Sequence, residues 1–106
     1  MKQDESKLQT AIVKYLQYEG FFVVAVPNGG NRSASEGAKF KREGVMAGHS
    51  DLNIYFNKSV IFVELKTAKG VQSASQKGFQ KKANSLGYKY LIWRHIDDAI
   101  NWVNDL

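Results

Sequence analysis

Asp51, Glu64 and Lys66 are the residues whose types and spacing suggest chemistry. Asp51 opens an apolar segment, Asp51 to Phe56, and Glu64 and Lys66 fall in a second one, Ser59 to Thr67, with Asn57-Lys58 between them. Two such segments joined by two turn residues read as a β-hairpin. If Phe56 faces Ser59 across the turn, each further pair keeps the same sum of residue numbers. Tyr55 then lies by Val60, Asn53 by Phe62 and Asp51 by Glu64. Directly opposed residues of an antiparallel pair share a face, and the period of two brings Lys66 to that face as well. A three-residue loop would shift the register and scatter the set. Ile61, Val63 and Leu65 mark the core face of the same strand. Two carboxylates facing each other in apolar surroundings repel, and a divalent cation would neutralise both at once. Hard oxygen donors without cysteine or histidine favour Mg²⁺ or Mn²⁺ over zinc.

Each feature has a plainer reading. An aspartate at a strand start is commonly a loop residue, and an isolated Glu-x-Lys is most often a solvent-facing pair. The conjunction carries the weight: an acid at the strand start, Glu-x-Lys on the paired strand and a Gly-containing loop, Gly44 to Ser50, just before. Glu5 is a third candidate acid, because on a helix turning ~100° per residue it falls within about 40° of Ile12 and Leu16. It equally suits the positive end of the helix dipole.

Around this set lie groups suited to phosphate. Asn28-Gly29-Gly30-Asn31-Arg32 can bring main-chain N–H groups and a guanidinium onto a phosphate, or serve as a simple turn. Lys39, Lys41 and Arg42 precede the set, and Lys69, Lys77, Lys81 and Lys82 follow it. Charge clusters are usually solvated faces; bracketing the acids from both sides, these suit tracking of a phosphate backbone. His49 reads as an incidental loop histidine, and Tyr88, Tyr90, Trp93 and Trp102 as core residues.

The elements that must hold these groups follow from periodicity. Asp4 to Glu19 reads as a helix with Leu8, Ile12 and Leu16 on its apolar stripe and Gly20 at its end. Phe21 to Val26 is a continuous apolar run, hence a buried strand stopped by Pro27. Ser35 to Glu43 is a short helix with no apolar stripe. After the hairpin, Ser73 or Ser75 caps a helix to about Leu86 with Gly87 at its C′ position. Tyr88 to Trp93 is a strand and Ile96 to Asn104 a closing helix. The hairpin-to-Tyr88 connection has the length of a right-handed crossover between parallel strands. An α/β fold with a mixed sheet of about four strands, helices on its faces, is expected.

Composition narrows the class. A chain of 106 residues, 43% hydrophobic and 24% charged, matches one globular domain and not a disordered segment. The absence of cysteine excludes disulfides and Cys-ligated metals, and His49 and His95 form no zinc-binding spacing. The start of the chain lacks the apolar stretch of a signal peptide, and Phe21 to Val26 is too short to span a bilayer, so a cytoplasmic location is expected. The net charge of +5 suits a polyanionic partner.

Taken together, Glu5, Pro27-Asn28-Gly29-Gly30 with Arg32, Gly48-His49-Ser50-Asp51-Leu52, Val63-Glu64-Leu65-Lys66-Thr67 and Gly70 with Ser73-Ala74-Ser75-Gln76 resemble the PD-(D/E)XK nuclease superfamily. They resemble in particular its VRR-NUC (virus-type replication-repair nuclease) branch, across nearly the whole chain. One departure is Ser50, where the family often has proline. The resemblance implies one domain over residues 1–106 with a restriction-endonuclease-like core, αβββαβ. It implies a phosphodiesterase dependent on Mg²⁺ or Mn²⁺, with Asp51, Glu64 and the Leu65 carbonyl as metal ligands and Glu5 near a second metal or its water. Lys66 would position the attacking water, with Gln76 orienting Lys66 or that water. Asn28, Gly29, Arg32, Lys41, Arg42, Lys69 and Ser73 would face DNA. Small members of the family, in phage or bacterial cells, imply a homodimer acting in DNA repair on branched DNA such as Holliday junctions, leaving 5′-phosphate and 3′-hydroxyl ends. The alternatives are a non-catalytic DNA-binding module, a nuclease of the same fold used in restriction or on RNA, and an ordinary ion-pair network at Asp51, Glu64 and Lys66.

Overall fold

The structure, a computed structural model, describes residues 3–27 and 33–106. Its elements run α1 (Gln3–Tyr18), β1 (Phe22–Ala25), α2 (Ala34–Arg42), β2 (Leu52–Phe56), β3 (Ser59–Leu65), α3 (Ala74–Ser85), β4 (Lys89–Trp93) and α4 (Ile96–Asn104). The strands form one sheet in the order β1-β2-β3-β4, antiparallel through β3 and parallel between β3 and β4. The mixed four-stranded α/β architecture is therefore the expected one. The parallel pair follows from α3, which carries the chain back across the sheet.

The alternation along β3 separates two layers. Ile61, Val63 and Leu65 join Leu52, Ile54 and Trp93 on one face, where Ile12 and Leu16 of α1 and Ala99 of α4 close a hydrocarbon core. Ile12, Leu16, Leu52, Ile54, Val63 and Leu65 have no exposure at all. On the other face Phe62 and Ile92 pack with Tyr90 of β4 under Phe79 and Ala83 of α3. Glu64, a candidate site residue, belongs to this second face.

β1 departs from its expected burial. The apolar run of Phe21 to Val26 predicts a strand covered on both faces, yet β1 is an edge strand with Phe22 66% and Val24 38% exposed. The reason lies in the layers. Val23 packs on the core side, whereas α3 covers β3 and β4 and leaves the opposite side of β1 open. Phe22 leans on Tyr55 of β2 instead, ring centroids 5.0 Å apart. The short helix α2 does form despite burying no residue, because Ser33 and Glu36 close a reciprocal capping box at its start.

Candidate functional site

The hairpin turn sets the site. Asn57 and Lys58 both adopt positive φ, 54° and 62°, the conformation of a two-residue type I′ connection. Phe56 accordingly faces Ser59, and the register runs to Leu52 opposite Val63, as the spacing predicts. From Phe56–Ser59, alternate pairs exchange main-chain bonds, so an extended ladder would send the Leu65 N–H to the main chain at Ser50. The ladder ends differently. The Asp51 N–H donates to the Val63 carbonyl at 3.1 Å, and the Leu65 N–H donates to Asp51 Oδ2 at 2.8 Å. The Asp51 carboxylate thereby caps the end of β3 beside Glu64.

Glu64 is 1% exposed, and both of its oxygens hold a donor. The Tyr90 hydroxyl donates to Oε1 at 3.0 Å, and Gln76 Nε2 donates to Oε2 at 3.1 Å. Burial, then the hydrogen bond and negative charge of Asp51, push the Glu64 carboxyl up to about 8, against the pull of the Tyr90 hydrogen bond and the Lys66 charge. Two acids at the end of one hairpin thus compete for charge.

Gln76 is itself held. Its Oε1 accepts the Ser73 N–H at 2.9 Å while the Ser73 hydroxyl accepts the Gln76 N–H at 3.2 Å, a capping box at the start of α3. With both ends of its amide engaged, Gln76 orients Glu64, where the resemblance implies Lys66 or a water. Gly48 lets the preceding loop meet this helix start. Its φ is +81°, and a Cβ there would collide with the Ser75 carbonyl and lie 2.8 Å from the Gln76 nitrogen.

A cleft of about 790 Å³ opens beside these groups, and Asp51, Gln76, Ser73 and Lys41 all line it together with the apolar Phe40 and Met46. Lys66 is half-buried and makes no ion pair with either acid among the described residues. Arg42 and Lys69 are exposed and do not line the cleft. Glu5 is half-buried on α1. No group of three or more His, Cys, Asp or Glu side chains placed to hold a metal occurs among the described residues, so Glu5 is not gathered with Asp51 and Glu64. Asn28, Gly29 and Arg32 lie outside the described residues. His49 packs on Phe79 at 4.5 Å and edge-on to Phe62 at 5.7 Å, and its Nδ1 bonds the Ser50 carbonyl at 2.9 Å. It joins the second-face packing and also lines the cleft.

The donor set suits a hard divalent cation. Mg²⁺ is commonly held by one or two carboxylates and completes its shell with water and substrate phosphate. Asp51 and Glu64 would supply two carboxylates to such an ion, Asp51 from just ahead of β2 and Glu64 from β3.

Two residues outside the predicted set shape the site. Tyr90, read as a core aromatic, is buried but places its hydroxyl on Glu64. The parallel register carries the signal: Phe62 pairs with Tyr90 and Glu64 with Ile92, so Tyr90 shares the Glu64 face, and a buried tyrosine hydroxyl requires a partner. Arg94 donates to the carbonyls of Thr67 and Gly70, each at 2.7 Å, and so braces the loop that follows Lys66. Nothing local in the sequence marks that contact.

No match to a family model or a curated protein is found. Solved structures do match. One, "VRR_NUC domain protein", superposes with a TM-score of 0.80 at 23% identity, covering 99% of this chain and 88% of its own. Another, "VRR_NUC domain", superposes with a TM-score of 0.72 at 14% identity, covering 97% of each chain. No helix among the described residues is long and apolar enough to cross a membrane. From the hairpin register to the closing helix, this chain has the VRR-NUC fold.

Proposed function

We propose that this protein is a nuclease that hydrolyses DNA phosphodiester bonds with Mg²⁺ or Mn²⁺, an endonuclease acting on branched DNA such as Holliday junctions, and that it works as a homodimer. The observation that carries the reading is the pairing of the buried, doubly held Glu64 with Asp51, which lines a cleft together with Lys41, Ser73 and Gln76. Such a pair repels phosphate by itself, which favours a metal-loaded site over a DNA-binding module that uses the basic surface alone. The likeness of fold to VRR-NUC domains supports the same class of chemistry.

Asp51 and Glu64 would hold the cation, with the Leu65 carbonyl beside them. A bound divalent ion acidifies water and draws charge from phosphate oxygens. Lys66, alternating onto the Glu64 face, orients the attacking water and offsets charge building on the phosphate in the transition state. Gln76 keeps Glu64 aimed, and Lys41, Arg42 and Lys69 offer positive charge to the flanking phosphates.

Labelled duplex, single-stranded, flap and four-way-junction DNA incubated with Mg²⁺, Mn²⁺ or EDTA, with Glu64→Ala in parallel, tests this. Metal-dependent cutting that is strongest on the junction and lost in the variant is expected. Binding without cutting under every condition would leave a DNA-binding module, and cutting of RNA in preference to DNA would change the substrate.

A further inference from the structure

Resting on that reading, we infer that Tyr90 is a positioning residue for the metal-holding carboxylate, governed in turn by Gln72. A glutamate carboxylate has a broad terminal torsion and no preferred orientation of its own, so its donors decide where its free lone pairs point. Gln76 fixes Oε2 and the Tyr90 hydroxyl fixes Oε1. The Tyr90 O–H donates to Oε1, as it must to the ionised, metal-holding carboxylate, which only accepts. The phenol oxygen then keeps lone pairs free and accepts Gln72 Nε2 at 3.3 Å, while the same Gln72 amide donates to Gln80 Oε1 at 3.0 Å.

The polarity of this chain is therefore set at one end by Gln80 and at the other by Glu64. Gln76 and Gln80 stand one turn apart on the same face of α3. The helix thus reaches Glu64 twice, directly through Gln76 and indirectly through Gln80, Gln72 and Tyr90. A phenylalanine at position 90 would fill the same space between Phe62, Phe79 and Ala83; only the hydroxyl adds the contact to Glu64. Partners behind a metal ligand commonly matter by about 10–100-fold in affinity.

Titration of Mn²⁺ into the DNA-free protein, followed calorimetrically, reads the effect without catalysis. Tyr90→Phe is expected to weaken Mn²⁺ binding about 10-fold or more, and to raise by the same factor the Mn²⁺ concentration that half-saturates cleavage. Gln72→Met leaves the Tyr90 ring untouched and should weaken binding by a smaller factor, and that factor should vanish in the Tyr90→Phe background because the two act in series. This second variant also stands in if Tyr90→Phe does not fold. Unchanged Mn²⁺ affinity in Tyr90→Phe, or a full additive loss in the double variant, would overturn the inference while leaving the nuclease reading intact. Failure of the unaltered protein to bind Mn²⁺ would overturn both.

Discussion

The two faces of the sheet are built on opposite principles, and β3 shows both within seven residues. On the side of α1 and α4, Val63 and Leu65 are sealed among apolar and aromatic side chains, where shape and volume decide. On the side of α3, Glu64 is just as buried, but it is tolerated only because Tyr90 and Gln76 each give it a hydrogen bond. One face can lose a methyl group and keep its organisation. The other cannot lose a donor without leaving a carboxylate uncompensated. The difference separates what holds the fold from what the proposed function requires, and neighbouring residues should report it.

The largest expected contrast is between Lys66 and Leu65. Lys66→Ala should lower cleavage at saturating metal by roughly 10²–10³-fold with an unchanged thermal midpoint. Leu65→Ala should cost about 2–5 kcal/mol in denaturant unfolding while its folded fraction still cuts. Equal activity for Lys66→Ala and the unaltered protein would break the division between the faces.

Gly48→Ala sharpens it, because this glycine meets the start of α3 rather than the apolar core. Positive φ and the collision with Ser75 together should cost on the order of 2 kcal/mol or more, and α3 must shift, moving Gln76 off Glu64. The expected result is a loss of metal affinity beyond what the stability loss alone produces, measured by Mn²⁺ titration at a temperature where the variant is folded.

A pH series separates the faces in a third way. The Glu64 carboxyl is held up at about 8 in the folded protein, against an unperturbed 4.5. Folding therefore favours its protonated form. The stability tied to that proton is complete below the unfolded value and lost as pH rises through about 8. In EDTA, unfolding free energy should fall between about pH 5 and pH 8, and Glu64→Gln should flatten that slope. A slope of the same size in the variant would place the titration elsewhere.

The smallest effect belongs to the turn that sets the register. Lys58 holds a φ of 62° without being glycine, so Lys58→Gly should raise stability by roughly 0.5–1 kcal/mol in denaturant unfolding, with cleavage unchanged.

How much of this is legible in the sequence depends on the range of the interaction. The hairpin register from Phe56–Ser59 to Leu52–Val63 follows from a two-residue turn and a period of two, both local, whereas Asp51 leaves the ladder and caps the Leu65 N–H with its side chain. The span of α4 and a serine cap of α3, at Ser73 or Ser75 and found at Ser73, are equally readable, because caps and apolar periodicity are written within a few residues. The exposure of β1 is not, since an apolar run does not say whether a helix covers its outer side. Tyr90 and Arg94 were missed for a related reason: their contacts to Glu64 and to Thr67 and Gly70 span the crossover through α3, and only the parallel pairing of β3 with β4 brings them together. Glu5 had the right angular position on α1, but angle alone does not carry it to the other acids.

The most direct measurement is the thermal midpoint of the unaltered protein and of Asp51→Asn, each in EDTA and in Mg²⁺, above pH 8, where Glu64 is ionised even without metal. An asparagine oxygen can still accept the Leu65 N–H, so the substitution removes charge while sparing the main-chain contact. Asp51→Asn is predicted to melt higher than the unaltered protein in EDTA, through loss of repulsion with Glu64. Only the unaltered protein is predicted to gain stability from Mg²⁺, by about 2.7 kcal/mol at one hundred times the dissociation constant. An equal Mg²⁺ shift in both proteins, or a lower midpoint for Asp51→Asn in EDTA, would contradict the claim that the two acids are assembled around a cation.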